Sequence, residues 1–302
     1  MVLYEPHRVG VRIPHTGRRG TSVPQQFRVS SRKKTVTALD LNQSARPNKL
    51  KEADFVQSFA RGLLVIQSFD GEHRRQTSSD VARRTGLNRA TVRRLLLTLE
   101  DLGYVRVESR QYSLAPSVLR LGYAYISALR APTIAQPYLE SLAEEIDESC
   151  SMTVLDGTEV VYVARVPTHR IFSLALGVGS RLPAFMISMG RVLLAELPED
   201  ELDALLAASD LIQATRKTIV DPLGIKRELE IARKQGWYLL DEELELGIRG
   251  VAAPIRDETG RVVAAINVST TTARTTKKMI QATIVPPLLR TASDISAALE
   301  IR

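Results

Sequence analysis

The sequence predicts an α+β fold with a largely antiparallel sheet, preceded by a small helical unit that ends in a hairpin. Three observations carry this. From Asp54 onward, apolar residues recur at helical spacing, punctuated by glycines. Beyond residue 150, strand-like runs come in pairs joined by tight turns, "VLDGTEVVYV" and "APIRDETGRVVAAI". Charge also divides the chain: of a net +7 over 302 residues, 1–53 carry +8, 54–115 carry +3 and the remainder −4. A basic front on a mildly acidic back fits a polyanion-binding end joined to a part that binds something else.

Residues 1–53 read as a disordered basic leader, because "RVGVRIPHTGRRGTSVPQQFRVSSRKKTV" sustains no period of two or 3.6. It is either a DNA-tracking arm or an extension from an upstream start. "DFVQSFARGLLVIQSF" follows as an amphipathic helix, with Phe55, Val56, Phe59, Leu63, Ile66 and Phe69 on its apolar stripe and Asp70-Gly71 as its stop. A second helix spans Ser78–Thr85 and ends at Gly86. A third begins after Asn88, a favourable N-cap. "YVRV" and "QYSLA", joined by "ESR", form a hairpin. Residues 54–115 therefore have the order of a winged helix-turn-helix.

Residues 116–131 read as a linker helix, "SVLRLGYAYISAL", broken by "APTIAQP". Residues 132–302 supply the sheet. The helix "QPYLESLAEEIDESC" leads into a strand pair around Asp156-Gly157, then "RIFSLALGVGSRLP" as strand and loop. Two helices flank Pro198, and another ends at Gly236. Three strands follow, "WYLLDEEL", "VAAPIRD" and "RVVAAINVST". A helical tail interrupted by Pro286-Pro287 closes the chain.

The third helix carries the strongest functional signal. Val81 and the small Ala82 fall where the two helices of the motif cross, and Gly86 falls where the turn needs a positive φ. Val92, Leu95, Leu96, Leu99 and Leu102 form its core stripe, which turns Ala90, Arg93, Arg94, Leu97 and Asp101 to the opposite side. Arg93 can donate bidentately to a guanine edge and the Ala90 methyl can meet a thymine methyl. Arg94 or Thr91 can hold phosphates, Arg89 flanks the face near the helix N-terminus, and Arg106 and Arg110 lie in the wing, where they can touch minor groove or phosphate. The alternative is a solvated charged face. Agreement between helix-turn-helix spacing and hairpin favours a helix built for double-stranded DNA.

Other chemistry is thin. A single cysteine, Cys150, leaves no intrachain disulfide and no CxxC motif. Neither a run of about 18 apolar residues nor an apolar leader occurs, so a cytoplasmic protein without a membrane span is expected. The histidines His7, His15, His73 and His169 make no metal-ligand spacing, and no cofactor motif is present. An enzyme would need a nucleophile–base or metal constellation. Glu242, Glu243 and Glu245 are the nearest approach to paired carboxylates, and a pocket rim or solvated strand end explains them better.

The blocks "SFARGLLVIQSF", "TGLNRATVRRLLLTLEDLGYV", "GSRLPAFMISMGRVLLA", "GWYLLDEELELGIRGVAAPI" and "GRVVAAINVSTTTAR" resemble the IclR-type transcriptional regulators, from about Asp54 to the C-terminus. They are most similar to the subgroup governing aromatic-acid catabolism through the β-ketoadipate pathway. The resemblance implies a winged helix, a linker helix used in dimerisation and a GAF-like effector domain, assembled as a homodimer or dimer of dimers and sensing a small organic or aromatic acid. By matching blocks with a related regulator of keto acids, it implies an effector site at Ser188, Met189, Asp241, Glu243, Gly250, Asn267 and Ser269. Gly250 and Asn267 depart from that pattern, and with Phe185 and Met186 nearby they suggest a roomier pocket for an aromatic or longer acid. Arg165, Arg181 and Arg249 are candidate partners for its carboxylate. Short keto acids or a hydrophobic drug-like ligand are the alternatives.

Overall fold

The computed structural model describes residues 54–168 and 176–300. The leader expected over 1–53 and His169 lie outside the described residues. The first unit comprises α1 (Gln57–Gln67), α2 (Ser78–Thr85), α3 (Arg89–Asp101) and the hairpin β1 (Val105–Glu108) and β2 (Gln111–Leu114). Local chemistry sets its boundaries. Thr77 and Asp80 form a reciprocal capping box at the start of α2, and Gly86 ends it at φ 71°. Asn88 caps α3 by accepting from the Thr91 amide. Leu64, Val65, Val81, Leu87, Val92, Leu96, Leu99 and Val105 close one core.

Two expectations fail here. Helix α1 turns Leu64 and Val65 inward and leaves Val56, Phe59 and Leu63 exposed. The helix has apolar residues on two sides, and α3 occupies only one of them. Leu102 is also exposed, as the C-cap one residue beyond the end of α3.

After the 3₁₀ turn Pro116–Val118 come α4 (Leu119–Ala128) and α5 (Arg130–Ile146). The break expected over "APTIAQP" shrinks to a single residue, Leu129, in extended conformation. Pro132 lies in the first turn of α5, where no amide donor is required. Pro137 sacrifices one helical bond, but Ala135, Leu139, Leu142 and Ala143 are buried and hold the helix on the sheet.

Among the described residues the sheet has six antiparallel strands in the order β5-β4-β3-β8-β7-β6, and residues 170–175 of the strand expected in "RIFSLALGVGSRLP" lie outside them. They are β3 (Ser149–Asp156), β4 (Glu159–Val166), β5 (Arg181–Pro183), β6 (Tyr238–Asp241), β7 (Ile248–Arg256) and β8 (Val262–Thr271). Helices α6 (Ser188–Leu194), α7 (Glu199–Ala208) and α8 (Pro222–Gln235) follow β5, and α6 and α8 cover one face. The other face is covered by α5 together with α9 (Lys277–Met279), the π-helical turn Ile280–Ile284 and α10 (Val285–Glu300). The interruption expected at Pro286-Pro287 is absent. The Val285 amide instead reaches back five residues to the Ile280 carbonyl, a wider turn that feeds the two prolines into α10 without a break.

Close approach of α6 to the segment before it has a specific cause. A Cβ on Gly190 would stand 2.0 Å from the Ala184 carbonyl oxygen. Gly190→Ala therefore has to move backbone, and a loss of about 3 kcal/mol in urea unfolding is expected. A cost below about 1 kcal/mol would show that α6 can shift freely.

Candidate nucleic-acid interface and ligand cavity

Arg89, Ala90, Arg93 and Arg94 are exposed on α3, and Thr91 is half-buried beside them. None of these arginines is held by a carboxylate among the described residues. Arg84 behaves differently: its guanidinium donates to Asp70 at 2.8 Å and to the Ser68 carbonyl, fastening α2 to the end of α1. Arg106 is exposed on β1, and Arg110 stands at the hairpin tip. Ser109 and Arg110 both adopt positive φ, 49° and 66°, the pattern of a two-residue type I′ turn. Such a turn usually takes Asn or Gly, so an arginine there is held in an unfavourable conformation at the most projecting point of the wing.

The second site lies between α6 and the sheet. Ser188 and Met189 from α6, Gly250 from β7, and Asn267 and Ser269 from β8 line a cavity with an empty volume of about 590 Å³, mouth included. Tyr162 and Arg165 enter it from β4. Leu176, Ile187, Leu240, Leu244, Glu245 and Ile248 complete the wall. Six of the nine residues expected at the effector site thus meet here: Arg165, Ser188, Met189, Gly250, Asn267 and Ser269.

Tyr162 and Arg165 are three apart, so a regular strand would point them to opposite faces. A register shift opposite Met152/Thr153 inserts one extra residue into β4 and brings both to the cavity. The hairpin spacing in the sequence gave no sign of this, and Tyr162 was not foreseen. Arg165 donates to Ser151 Oγ at 3.2 Å and pairs with no carboxylate among the described residues. Burial pushes the Tyr162 hydroxyl up to about 12, against the pull of Arg165, so it remains a donor at neutral pH. Asn267 donates to Ser269 Oγ, while its buried Oδ1 has no partner among the described residues.

Three expected residues lie elsewhere. Asp241 holds Arg249 at 2.6 Å, Lys277 at 3.0 Å and Lys217 at 3.2 Å. Burial opposes its charge, but these hydrogen bonds outweigh it and keep the carboxyl down at about 2. Arg249 is spent on Asp241 and the Thr275 carbonyl. Glu243 pairs with the fully buried Arg191. Arg181 is occupied by Asp156 and Glu159 at the sheet edge, and Phe185 is core. Nor does Gly250 leave free space, since a Cβ there would stand 2.8 Å from Ser188 Oγ. The expected extra room is taken by Ser188.

An arginine-bearing winged helix-turn-helix, joined to a sheet-and-helix unit with an enclosed cavity, defines a DNA-binding regulator with an effector domain. Residues 58–109 match the IclR helix-turn-helix domain and residues 123–297 the bacterial transcriptional regulator IclR C-terminal domain. The chain belongs to the IclR family of transcriptional regulators, which are not enzymes. It is 42% identical to the Pca regulon regulatory protein of Pseudomonas putida, over 81% of this chain and 84% of that protein. A crystal structure of a transcriptional regulator from Rhodococcus sp. RHA1 superposes with TM-score 0.74 at 49% identity, covering 81% of this chain and 98% of that one. An IclR homologue from Microbacterium hydrocarbonoxydans, crystallised with 4-hydroxybenzoate, superposes with TM-score 0.71 at 26% identity, covering 80% and 98%. Among the described residues no helix is long and apolar enough to cross a membrane.

Two predictions follow from the geometry. Arg110→Gly relieves the positive-φ position, which offsets the extra freedom of glycine in the unfolded chain, so stability should stay within about 1 kcal/mol. DNA affinity should fall, with the slope of log K against log salt reduced by about 1, as fluorescence anisotropy across a salt series would read. Asp241→Asn should cost roughly 2 kcal/mol at neutral pH, since the unfolded carboxyl titrates near about 4. That contribution is complete above about pH 4 and is lost as pH falls through 2, so the urea curves of variant and parent should converge across that window.

Proposed function

We propose that this protein is a ligand-responsive regulator of aromatic-acid catabolism genes that senses a small organic or aromatic acid in the cavity beside α6. The observation that carries this is Arg165, a cation that pairs with no carboxylate among the described residues, in a cavity lined mainly by apolar side chains. An acid would bring the missing charge, accept from Tyr162 and leave its apolar body against Ile187, Met189 and Leu240. The names of the similar proteins, a Pca regulon regulator and a 4-hydroxybenzoate complex, support an aromatic-catabolic setting.

On the DNA side, α3 enters the major groove of an operator duplex. Arg93 and Ala90 read bases, Arg89, Thr91 and Arg94 hold phosphates, and the wing reaches with Arg106 and Arg110. The exposed apolar residues of α1 and α4, including Phe59, Leu63, Leu119 and Tyr123, meet a second copy in a homodimer or a dimer of dimers. Residues 54–115 form the DNA-binding domain, 116–131 the linker and 132–302 the effector domain of a cytoplasmic protein. Effector binding changes the geometry of the dimer and so the spacing of its two recognition helices.

Ser188 filling the space beside Gly250 favours a second reading, a short keto acid. One thermal-shift screen decides between them, with protocatechuate, 4-hydroxybenzoate, cis,cis-muconate, β-ketoadipate, pyruvate and glyoxylate as probes. A ligand at 100 times its Kd stabilises the folded state by about 2.7 kcal/mol, a readable rise in Tm. The expected result is a rise with an aromatic or dicarboxylic acid that disappears in Arg165→Met while operator binding persists. A rise with pyruvate or glyoxylate alone would establish the second reading. An undiminished rise in Arg165→Met would remove Arg165 from the site.

A further inference from the structure

We propose that the buried Arg191–Glu243 pair is a positioning pair of the effector site, holding the β6–β7 loop as one wall of the cavity without touching the ligand. The inference rests on reading that cavity as the effector site. Arg191 is fully buried in α6, three residues beyond Ser188, and donates in three directions. Nε reaches the Phe185 carbonyl at 2.7 Å, Nη1 the Tyr238 hydroxyl at 2.5 Å, and Nη2 the Glu243 carboxylate at 2.6 Å. Glu243 belongs to the short loop between β6 and β7, and the next two residues, Leu244 and Glu245, line the cavity.

Glu242 stands at φ 62° and Gly247 at φ 86°, so the chain turns sharply at both ends. The Thr272 amide donates to the Gly247 carbonyl at the far end of the loop, and Leu244 packs into the core. Around Glu243 itself the ties run to one neighbouring segment. The Ile219 amide donates to the Glu243 carboxylate at 3.1 Å, Thr218 Oγ1 to the Glu243 carbonyl at 2.6 Å, and Thr215 Oγ1 to the Glu242 carbonyl at 2.8 Å. Among the described residues the Arg191–Glu243 pair is the polar link between this assembly and α6, added to the packing of Leu244 in the same core, and the first turn of α6 forms the facing wall of the cavity. The wall carrying Leu244 and the wall carrying Ser188 and Met189 are therefore set relative to each other by Arg191 and Glu243.

A stability role explains the pair poorly. Removing two charges from water costs about as much as their attraction returns, and apolar replacements of a buried pair are often neutral or better. What a rigid, multiply bonded guanidinium supplies is a defined geometry. Preorganising a wall in this way raises affinity, because the ligand no longer has to order it.

The test compares Glu243→Gln, which keeps the hydrogen bonds, with the paired swap Arg191→Met/Glu243→Leu, which leaves no unpaired charge. Hydrogen exchange of the 242–248 amides is read beside binding of the acid identified by the six-acid screen, with Tm and operator affinity as controls. In the paired swap the loop amides should exchange about tenfold faster while the strand amides of β7 and β8 are unchanged. Acid affinity should fall about tenfold with operator affinity within about twofold, and Glu243→Gln should lie between swap and parent. Parent-like loop exchange and parent-like acid affinity in the swap would overturn the proposal. A swap that fails to fold would overturn it too, by making the pair a general support. Should the parent protein bind no acid in the screen, the effector reading fails, and the exchange measurement still decides whether the pair holds the loop.

Discussion

The effector unit depends on how closely α6 lies on its neighbours. A short helix can present its first turn to a cavity only if nothing beneath it pushes it away, and two glycines remove the obstacles. Gly190 admits the Ala184 carbonyl where any side chain would collide, and Gly250 on β7 admits the Ser188 hydroxyl. Once α6 is that close, its remaining residues have no route to solvent. Arg191 must then find every partner inside the protein, and Phe185, Tyr238 and Glu243 supply them. The glycines, the buried guanidinium and the small cavity are consequences of one packing distance.

The arginines of this chain divide into those consumed by structure and those left to act. Arg84, Arg181, Arg191, Arg249, Arg256 and Arg274 each meet a carboxylate. Arg89, Arg93, Arg94, Arg106 and Arg110 meet none among the described residues, and they share one recognition unit. A phosphate backbone competes for such groups without first breaking an internal bond, whereas recruiting Arg84 or Arg249 would first break its pairing with Asp70 or Asp241. Net charge measures neither set. The useful quantity is the number of cations that meet no carboxylate among the described residues, and of these Arg165 lines the cavity.

The helix-turn-helix was legible because every signal in it is local. A capping residue, a turn glycine and a stripe at i, i+3 and i+4 act within a dozen residues, and α2, Gly86 and α3 follow from them. What failed was the choice between two apolar faces on α1, which depends on where α3 docks. In the effector unit the cavity face of β7 and β8 could be placed by matching blocks, so Gly250, Asn267 and Ser269 meet as expected. Glu243 and Arg249 could not be placed, because a charged residue in a strand end reads the same whether its partner is a ligand or an arginine fifty residues away. Tyr162 was missed for a third reason. Its place at the cavity depends on a bulge in β4, which leaves no mark in the spacing of side chains.

The route from cavity to DNA unit is short in chain terms. Ser151, which steadies Arg165, lies on β3, and β3 is reached from α5 through Asp147 and Glu148. Helix α5 meets α4 at Leu129, a single extended residue between two helices, so a tilt of one helix is passed to the other with little slack. A ligand can shift such an equilibrium only by the difference in its affinity for the two states. That difference must arise where the ligand touches groups that move, and β3 and β4 carry the cavity's cation while remaining continuous with this helical path. Asn267 reaches this path through its pairing with Ser151, and Gly250 lies one strand further away. On the proposed effector reading two tasks divide within one cavity: the walls from α6, β7 and β8 would govern which acid fits, and Arg165 on β4, bonded to Ser151 on β3, would meet its charge on the strands that lead back to α5.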